Sequence, residues 1–167
     1  SVESFEKASS NLGGRIMNHV FLESTRVGTT KEELYDILQK KMKMNGVDIA
    51  EHELRKVYQC ACNAFQDVKR YSGEEYVTHL LNVSLILTEL GAGTEVILAG
   101  MFCDVGKKGV LSLEELSNTL PQKVYDIIVN VQAAGNDLSM AAEEVILIRL
   151  AERLHNMRTI EFIDDRK

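Results

Sequence analysis

The sequence predicts an all-α fold, and three observations support this prediction. Between Tyr76 and Leu90, residues of buried character recur at intervals of three and four, the spacing of one face of an α-helix. Capping patterns and glycines divide the chain into segments of helical length. No segment alternates apolar and polar residues with the period of two that is typical of a half-buried strand. We therefore expect a bundle of helices.

The first predicted elements lie in the N-terminal quarter of the chain. Residues 15–22 are compatible with one amphipathic helix. Thr30 with Glu33 forms a capping-box pattern, which predicts a helix that runs to about Met44. The pair at residues 45–46, Asn then Gly, is a typical helix stop.

The middle of the chain carries two longer predicted helices. Asp48 with Glu51 repeats the start signal ahead of a helix that we expect to reach about Val68. A turn follows, and the next helix covers residues 76–90, where Gly91 stops it.

Three short elements are predicted next. Residues 94–104 indicate a short buried helix, which the Val-Gly pair at residues 105–106 would end. Ser112 with Glu115 predicts the capped start of a brief helix. Pro121 stands where the first position of a further helix tolerates proline.

A last helix should begin near Ser139 and run past Thr159. Its apolar stripe comprises Ile146, Leu150, Leu154 and Met157. For the chain as a whole we predict an N-terminal helical segment over residues 1–47, packed on or extending the rest. Residues 48–167 would form the main globular domain.

Composition narrows the class of protein. The formal net charge of −6 argues against general nucleic-acid binding, which needs a basic face. Three cysteines without framework spacing indicate reduced thiols, and hence a cytoplasmic protein. The longest apolar run is too short to cross a membrane, so we expect no membrane partner.

Three separated stretches carry residues that are able to bind a metal or to take part in catalysis. They are residues 70–79 with the sequence RYSGEEYVTH, the pair Cys103-Asp104, and residues 150–159 with the sequence LAERLHNMRT. His79, Asp104 and Glu152 would bring one imidazole and two carboxylates together from separate helices. Such a set is a plausible group of ligands for a divalent metal, although capped helix ends and solvated ion pairs are the plainer interpretation.

The literal strings add a resemblance. The first and third stretches, in this order, closely resemble the N-terminal hydrolase domain of the RelA/SpoT-homologue family, which metabolises guanosine tetra- and pentaphosphate. The resemblance covers roughly residues 57–159. It implies an HD-type helical bundle around one manganese ion, which removes the 3′-pyrophosphate from the nucleotide.

The resemblance also implies a metal ligand set, with departures. His79 matches the first ligand and Asp104 matches the aspartate of a His-Asp pair. Cys103 stands where the histidine of that pair belongs, and Glu152 replaces the last aspartate. A thiolate suits zinc better than manganese, but Cys103 is more simply interpreted as a small buried residue. We expect no cofactor, or Mn or Zn if the metal site persists.

A second departure concerns the catalytic acids. The family carries a Glu-Asp pair that positions and activates the attacking water, and a gapless alignment places Lys107 and Lys108 there. An ammonium group cannot accept a proton at neutral pH, so we predict that hydrolysis is lost. An alignment gap would instead favour Glu114 or Glu115, although both fit a capped helix start better.

The resemblance further implies a nucleotide pocket, lined by Arg70, Ser72, Asn156 and Thr159. His155 is interpreted as an orienting or packing residue. The leading hypothesis is a silent domain that binds a guanine nucleotide such as ppGpp or GDP, or restrains the synthetase domain of a longer parent, which would be a GTP pyrophosphokinase. The alternatives are an active hydrolase with an altered ligand set and a helical interaction module without a ligand.

Overall fold

A computed structural model describes residues 29–164, with side chains through residue 159. Within these residues the only strand-like pairing is an isolated bridge between Lys69 and Glu75. The helices are α1 Lys31–Met44, α2 Glu51–Ala64, α3 Tyr76–Glu89, α4 Thr94–Gly100, α5 Val105–Lys108, α6 Leu113–Thr119, α7 Gln122–Ala134 and α8 Glu143–Asp164. The predicted all-α fold is confirmed. The predicted helix at residues 15–22 lies outside the described residues.

Helix α3 lies at the centre of the bundle. All of its residues from Tyr76 to Thr88 are buried, as expected for a helix that is apolar around its whole circumference. It packs against α1 on one side and against α4 and α8 on others. Its buried hydroxyls donate to nearby backbone carbonyls, because Ser84 Oγ donates to Ile97 O at 2.8 Å and Thr88 Oγ1 donates to Ser84 O at 2.8 Å. The helix is therefore a fixed frame for any side chain that it carries.

Helix α1 begins and ends where the sequence predicted. Thr30 Oγ1 accepts the Glu33 backbone N–H at 3.2 Å, and the helix stops at Met44, ahead of Gly46 with φ of 70°. Its buried residues belong to the same core as those of α3; they are Leu34, Tyr35, Leu38 and Met42. This part of the N-terminal segment thus packs on the rest, while a division of the chain at residue 47 stays a prediction.

Helix α2 departs from its predicted bounds. Its N-cap is Ala50, which makes no side-chain cap bond, so Asp48 does not form the predicted cap with Glu51. The helix ends at Ala64 instead of continuing to Val68, and Asp67 adopts a positive φ of 62°. The backbone must turn there, because the Tyr76 N–H donates back to Val68 O at 2.9 Å.

The predicted helix over residues 94–104 is also wrong in extent. Helix α4 ends at Gly100, turns follow, and residues 105–106 begin α5 instead of ending a helix. The Gln132 side chain of α7 bonds the backbone on both sides of Asp104. This contact from a distant helix holds the chain around Asp104, and local sequence patterns do not report it.

The later helices begin only partly where the sequence predicted. Ser112 and Glu115 form a complete capping box, with the two bonds at 3.1 and 2.7 Å, as predicted. Pro121 immediately precedes the first residue of α7. The last helix starts at Glu143 and not near Ser139, because the Asp137 carboxylate accepts both the N–H and the hydroxyl of Ser139 and holds a turn. Among the described helices, none combines the length and the apolar character needed to span a bilayer.

Candidate functional site

The candidate site lies between α3, α8 and the bend that precedes α5. His79 projects from the first turns of α3, Glu152 from the middle of α8, and Asp104 is the residue before α5. One ligand-type atom from each of these three side chains lies within 4.8 Å of the others. His79 and Asp104 are buried, and the side chain of Glu152 is 13% exposed. The structure thus brings together three of the four residues that the sequence singled out for a metal.

A pair of histidines forms one wall of the site. His79 Nδ1 lies 2.6 Å from Nδ1 of His155, which also projects from α8. Burial lowers the pKa of both rings, to about 3 for His155 and well below the ordinary value for His79, and the Arg70 charge lowers both further. Both rings are therefore neutral at physiological pH. Nε2 of His79 is buried and has no hydrogen-bond partner among the described residues.

A buried arginine joins the two carboxylates. Arg149 Nη1 donates to Glu152 Oε2 at 2.6 Å and lies 3.5 Å from Asp104 Oδ1. Its Nη2 donates to Val131 O on α7 at 3.2 Å, which fixes the guanidinium. Burial and then the charge of Asp104 raise the pKa of Glu152, although the bond from Arg149 opposes the shift. Charge at the site is thus shared among two acids and one cation.

Tyr76 completes the surroundings of Asp104. The phenol donates to Asp104 Oδ2 at 2.6 Å, while its ring meets the His79 ring edge-on at a centroid distance of 5.5 Å. Burial, followed by the bond to Asp104, raises the pKa of Tyr76, so the phenol remains a donor. Both Asp104 oxygens therefore have partners within the protein.

The backbone around Asp104 is held from α7. Gln132 Nε2 donates to Cys103 O at 2.8 Å, and Gln132 Oε1 accepts the Gly106 N–H at 3.2 Å. One side chain thus bridges the residues on either side of Asp104. Gln132 is a positioning residue for this carboxylate.

A second cluster adjoins the first and contains three of the four predicted nucleotide residues. Arg70 Nη2 donates to Asn156 Oδ1 and to Thr159 Oγ1, each at 3.1 Å. These bonds connect the turn before α3 to the outer part of α8. Arg70 is half-buried, and burial lowers its pKa, while the nearby acidic groups of Tyr76, Glu74 and Asp104 partly offset this. Ser72 lies exposed in the same turn.

The remaining predicted residues lie apart from these contacts. Cys103 is fully buried and is not a member of the group formed by His79, Asp104 and Glu152, and burial raises the pKa of its thiol well above the ordinary value. Lys107 and Lys108 are exposed on α5, and their backbone N–H groups both donate to Asp104 O. The Glu115 carboxylate is occupied by its cap.

Sequence reasoning missed three residues of the site. Arg149 lies three residues before Glu152 on α8, so the helical period could have placed it on the same face. Tyr76 belongs to the first resembling stretch but had been assigned no role. Gln132 carried no signal, because only the folded chain brings it next to Asp104.

The comparisons with known proteins agree with this fold. A family model described as "HD domain" matches residues 58–141. A GTP pyrophosphokinase of Streptomyces coelicolor is 30% identical over 90% of this chain and 20% of its own length. A guanosine-3′,5′-bis(diphosphate) 3′-pyrophosphohydrolase of Aquifex aeolicus is 30% identical over 65% of this chain and 18% of its own length.

The bifunctional (p)ppGpp synthase/hydrolase SpoT of Escherichia coli is 30% identical over 64% of this chain and 18% of its own length. The chain thus spans about a fifth of the length of these curated relatives. The matched HD domain, the all-α bundle and the relatives agree on one assignment: the chain belongs to the RelA/SpoT HD domain family.

Proposed function

We propose that this domain binds a guanosine nucleotide of the ppGpp type without hydrolysing it, and that it serves a regulatory role in a longer protein of (p)ppGpp metabolism. The relatives are a GTP pyrophosphokinase and (p)ppGpp hydrolases by name, so the parent proposed here is a GTP pyrophosphokinase. In such a parent the domain would inhibit a synthetase domain or transmit the effect of nucleotide binding to it.

The observation that carries nucleotide binding is the contact of Arg70 with Asn156 and Thr159. A guanidinium is the side chain best matched to phosphate oxygens, since its planar donors pair with them in a fixed geometry. The Nη2 donor already has its direction set by an amide oxygen and a hydroxyl oxygen of α8. This preorganisation supports a site in which a ligand loses little of its binding free energy to ordering the protein.

Two features of the chain around Asp104 support the lack of hydrolysis, namely the lysines that follow it and the partners of the two carboxylates. Lys107 and Lys108, which stand at the family's acidic pair, are exposed cations that cannot accept a proton from water at neutral pH. The two carboxylates already face the Arg149 guanidinium, and Asp104 also accepts the Tyr76 phenol. In this arrangement His79, Asp104 and Glu152 do not fit a resident divalent cation, although their donor types are suitable.

Calorimetric titration of the domain with guanosine tetraphosphate tests the proposal. We expect binding by the unaltered chain and a loss of at least about tenfold in affinity for Arg70→Gln, since a charge-assisted bond contributes roughly 1.5–3 kcal/mol. Arg55→Gln is the matched control, because Arg55 is exposed and pairs with Glu51 at 3.4 Å, outside the candidate site. If the unaltered chain does not bind, or if both variants bind like it, nucleotide binding at this site is contradicted.

A second candidate is an active hydrolase with an altered ligand set. The observation in its favour is the approach of His79, Asp104 and Glu152 within 4.8 Å, together with the unpartnered Nε2 of His79. This candidate requires turnover with Mn²⁺ or Zn²⁺, so a hydrolysis assay separates it from the silent domain.

A further inference from the structure

We propose that the Arg149 guanidinium serves as the internal cation of this site, so that the domain takes up no divalent metal and acquires a metal site only when Arg149 is removed. The inference gives a reason why the domain would not hydrolyse the nucleotide, and for that part it rests on the proposed function. It is independent of nucleotide binding at Arg70.

The charges of the two acids require a counterion. Buried carboxylates need a partner of opposite charge, because water no longer stabilises them. The Arg149 side chain is 9% exposed, and its Nη1 reaches both acids, at 2.6 Å from Glu152 and 3.5 Å from Asp104. The cluster therefore already contains one positive charge that faces both acids, as a metal ion would.

The Arg149 guanidinium is held rigidly in place. Arg149 precedes Glu152 by one helical turn, so α8 itself sets the spacing of the pair. The other terminal nitrogen, Nη2, is fixed to Val131 O of α7. Because the guanidinium is bonded to two helices and faces both acids, an arriving dication would meet a like charge inside its own ligand group.

A set of donors suited to a metal remains when the guanidinium is removed. Asp104 would still be held by the Tyr76 phenol, and His79 is 1% exposed with an Nε2 that has no partner among the described residues. One imidazole and two carboxylates with ligand atoms within 4.8 Å form a donor set for Mn²⁺ or Zn²⁺. Replacing Arg149 by a neutral side chain of similar length should therefore exchange one cation for the other.

The experiment compares the unaltered chain with Arg149→Met, each freed of metal and then titrated with MnCl2 or ZnCl2. We expect the unaltered chain to bind no stoichiometric metal and to show no change in Tm. Arg149→Met should have a lower Tm, because two buried acids lose their partner, and metal should raise it again. At a metal concentration 100 times its Kd, the ratio of folded to unfolded protein rises about 100-fold.

Two controls define the site. Arg149→Lys keeps the charge and should remain insensitive to metal, whereas Arg149→Met combined with His79→Ala should lose the metal response. Indifference of folded Arg149→Met to both metals would overturn the inference. If Arg149→Met does not fold, the titration of the unaltered chain still decides: stoichiometric binding overturns the inference and its absence supports it.

The same titration separates this inference from the proposed function. Stoichiometric metal in the unaltered chain without pyrophosphate release would overturn the role of Arg149 and leave a silent nucleotide-binding domain. Metal with turnover would overturn both. Metal-dependent stabilisation of Arg149→Met alone supports the inference whether or not that variant turns over.

Discussion

At the scale of residues, Asp104 is the most heavily constrained side chain of the site. Its two oxygens face different partners, since Oδ2 accepts the Tyr76 phenol and Oδ1 faces the Arg149 guanidinium. Gln132 holds the backbone on either side of it. A carboxylate with partners on both oxygens and a fixed backbone is held in one orientation, which suits a structural role better than a proton-transfer role.

Tyr76→Phe tests this constraint. The variant removes only the hydroxyl and leaves Asp104 Oδ2 buried without its donor, so we expect a loss of roughly 1.5–3 kcal/mol in the free energy of unfolding. Urea denaturation followed by circular dichroism measures it. Tyr71→Phe is the control, because Tyr71 is 98% exposed and should change stability by less than about 0.5 kcal/mol. Equal stability of both variants and the unaltered chain would contradict the buried bond.

Residues of the site differ in how far the sequence could predict them. The convergence of His79, Asp104 and Glu152 was expected from the three separated stretches and agrees with the geometry; their role as ligands stays a prediction. The partners Arg149 and Tyr76 were not predicted, since a resemblance names roles and not contacts. Buried charge has to be paired, and only the packed structure shows which side chain provides the pairing.

At the scale of elements, the site depends on how closely α4 approaches α3. A Cβ on Gly100 would lie 2.6 Å from Leu87 Cδ1 and 3.2 Å from Ser84 Oγ. Leu87 is fully buried and the Ser84 hydroxyl is bonded to Ile97 O, so neither side chain has room to withdraw. The absence of a side chain at Gly100 therefore sets the spacing of the two helices.

Gly100→Ala tests the close approach. We expect the variant to lose about 1–3 kcal/mol in the free energy of unfolding, as overpacked cores do. Thermal and urea denaturation give the value. The matched control is Gly93→Ala, where the new Cβ meets only Glu95 Oε2 at 4.0 Å, and where the N-cap preference limits the cost to a smaller value. If Gly100→Ala is no less stable than Gly93→Ala, the helices are not in van der Waals contact there.

Helix boundaries were predictable where their cause is local. Thr30 and Ser112 bond to backbone groups three residues away, so the pattern that predicts the cap also contains its partner. The backbone around Asp104 is held from another helix, since the Gln132 side chain of α7 bonds Cys103 O and the Gly106 N–H, and no local pattern predicts this contact. The late start of α8 was a missed local signal, because Asp137 and Ser139 form a turn that the sequence contained.

At the scale of the whole molecule, the fold class was predicted well because it depends on many residues at once. Helical spacing persists over residues 76–90, and a single misplaced boundary does not change the class. The state of the site depends on few residues, above all on the charges at positions 107, 108 and 149. A fold can therefore be shared with hydrolases while its chemistry differs.

The contact of Arg70 with α8 suggests how nucleotide binding would act on a longer parent protein. The contact of Arg70 with α8 joins the turn before the central helix to the last described helix. A nucleotide phosphate bound by the Arg70 guanidinium would lie beside this contact. Binding would thereby bear directly on the outer turns of α8, which continues to Asp164.

Release of pyrophosphate from guanosine tetraphosphate by the purified domain, with Mn²⁺ and separately with Zn²⁺, tests the central claim most directly. The account predicts no turnover above the protein-free rate with either metal, because lysines replace the acidic pair and Arg149 occupies the carboxylates. Loss of general-base catalysis alone removes about 10²–10⁴-fold in rate. Turnover that His79→Ala and Asp104→Ala both abolish would contradict the account and make this domain an active hydrolase with an altered ligand set.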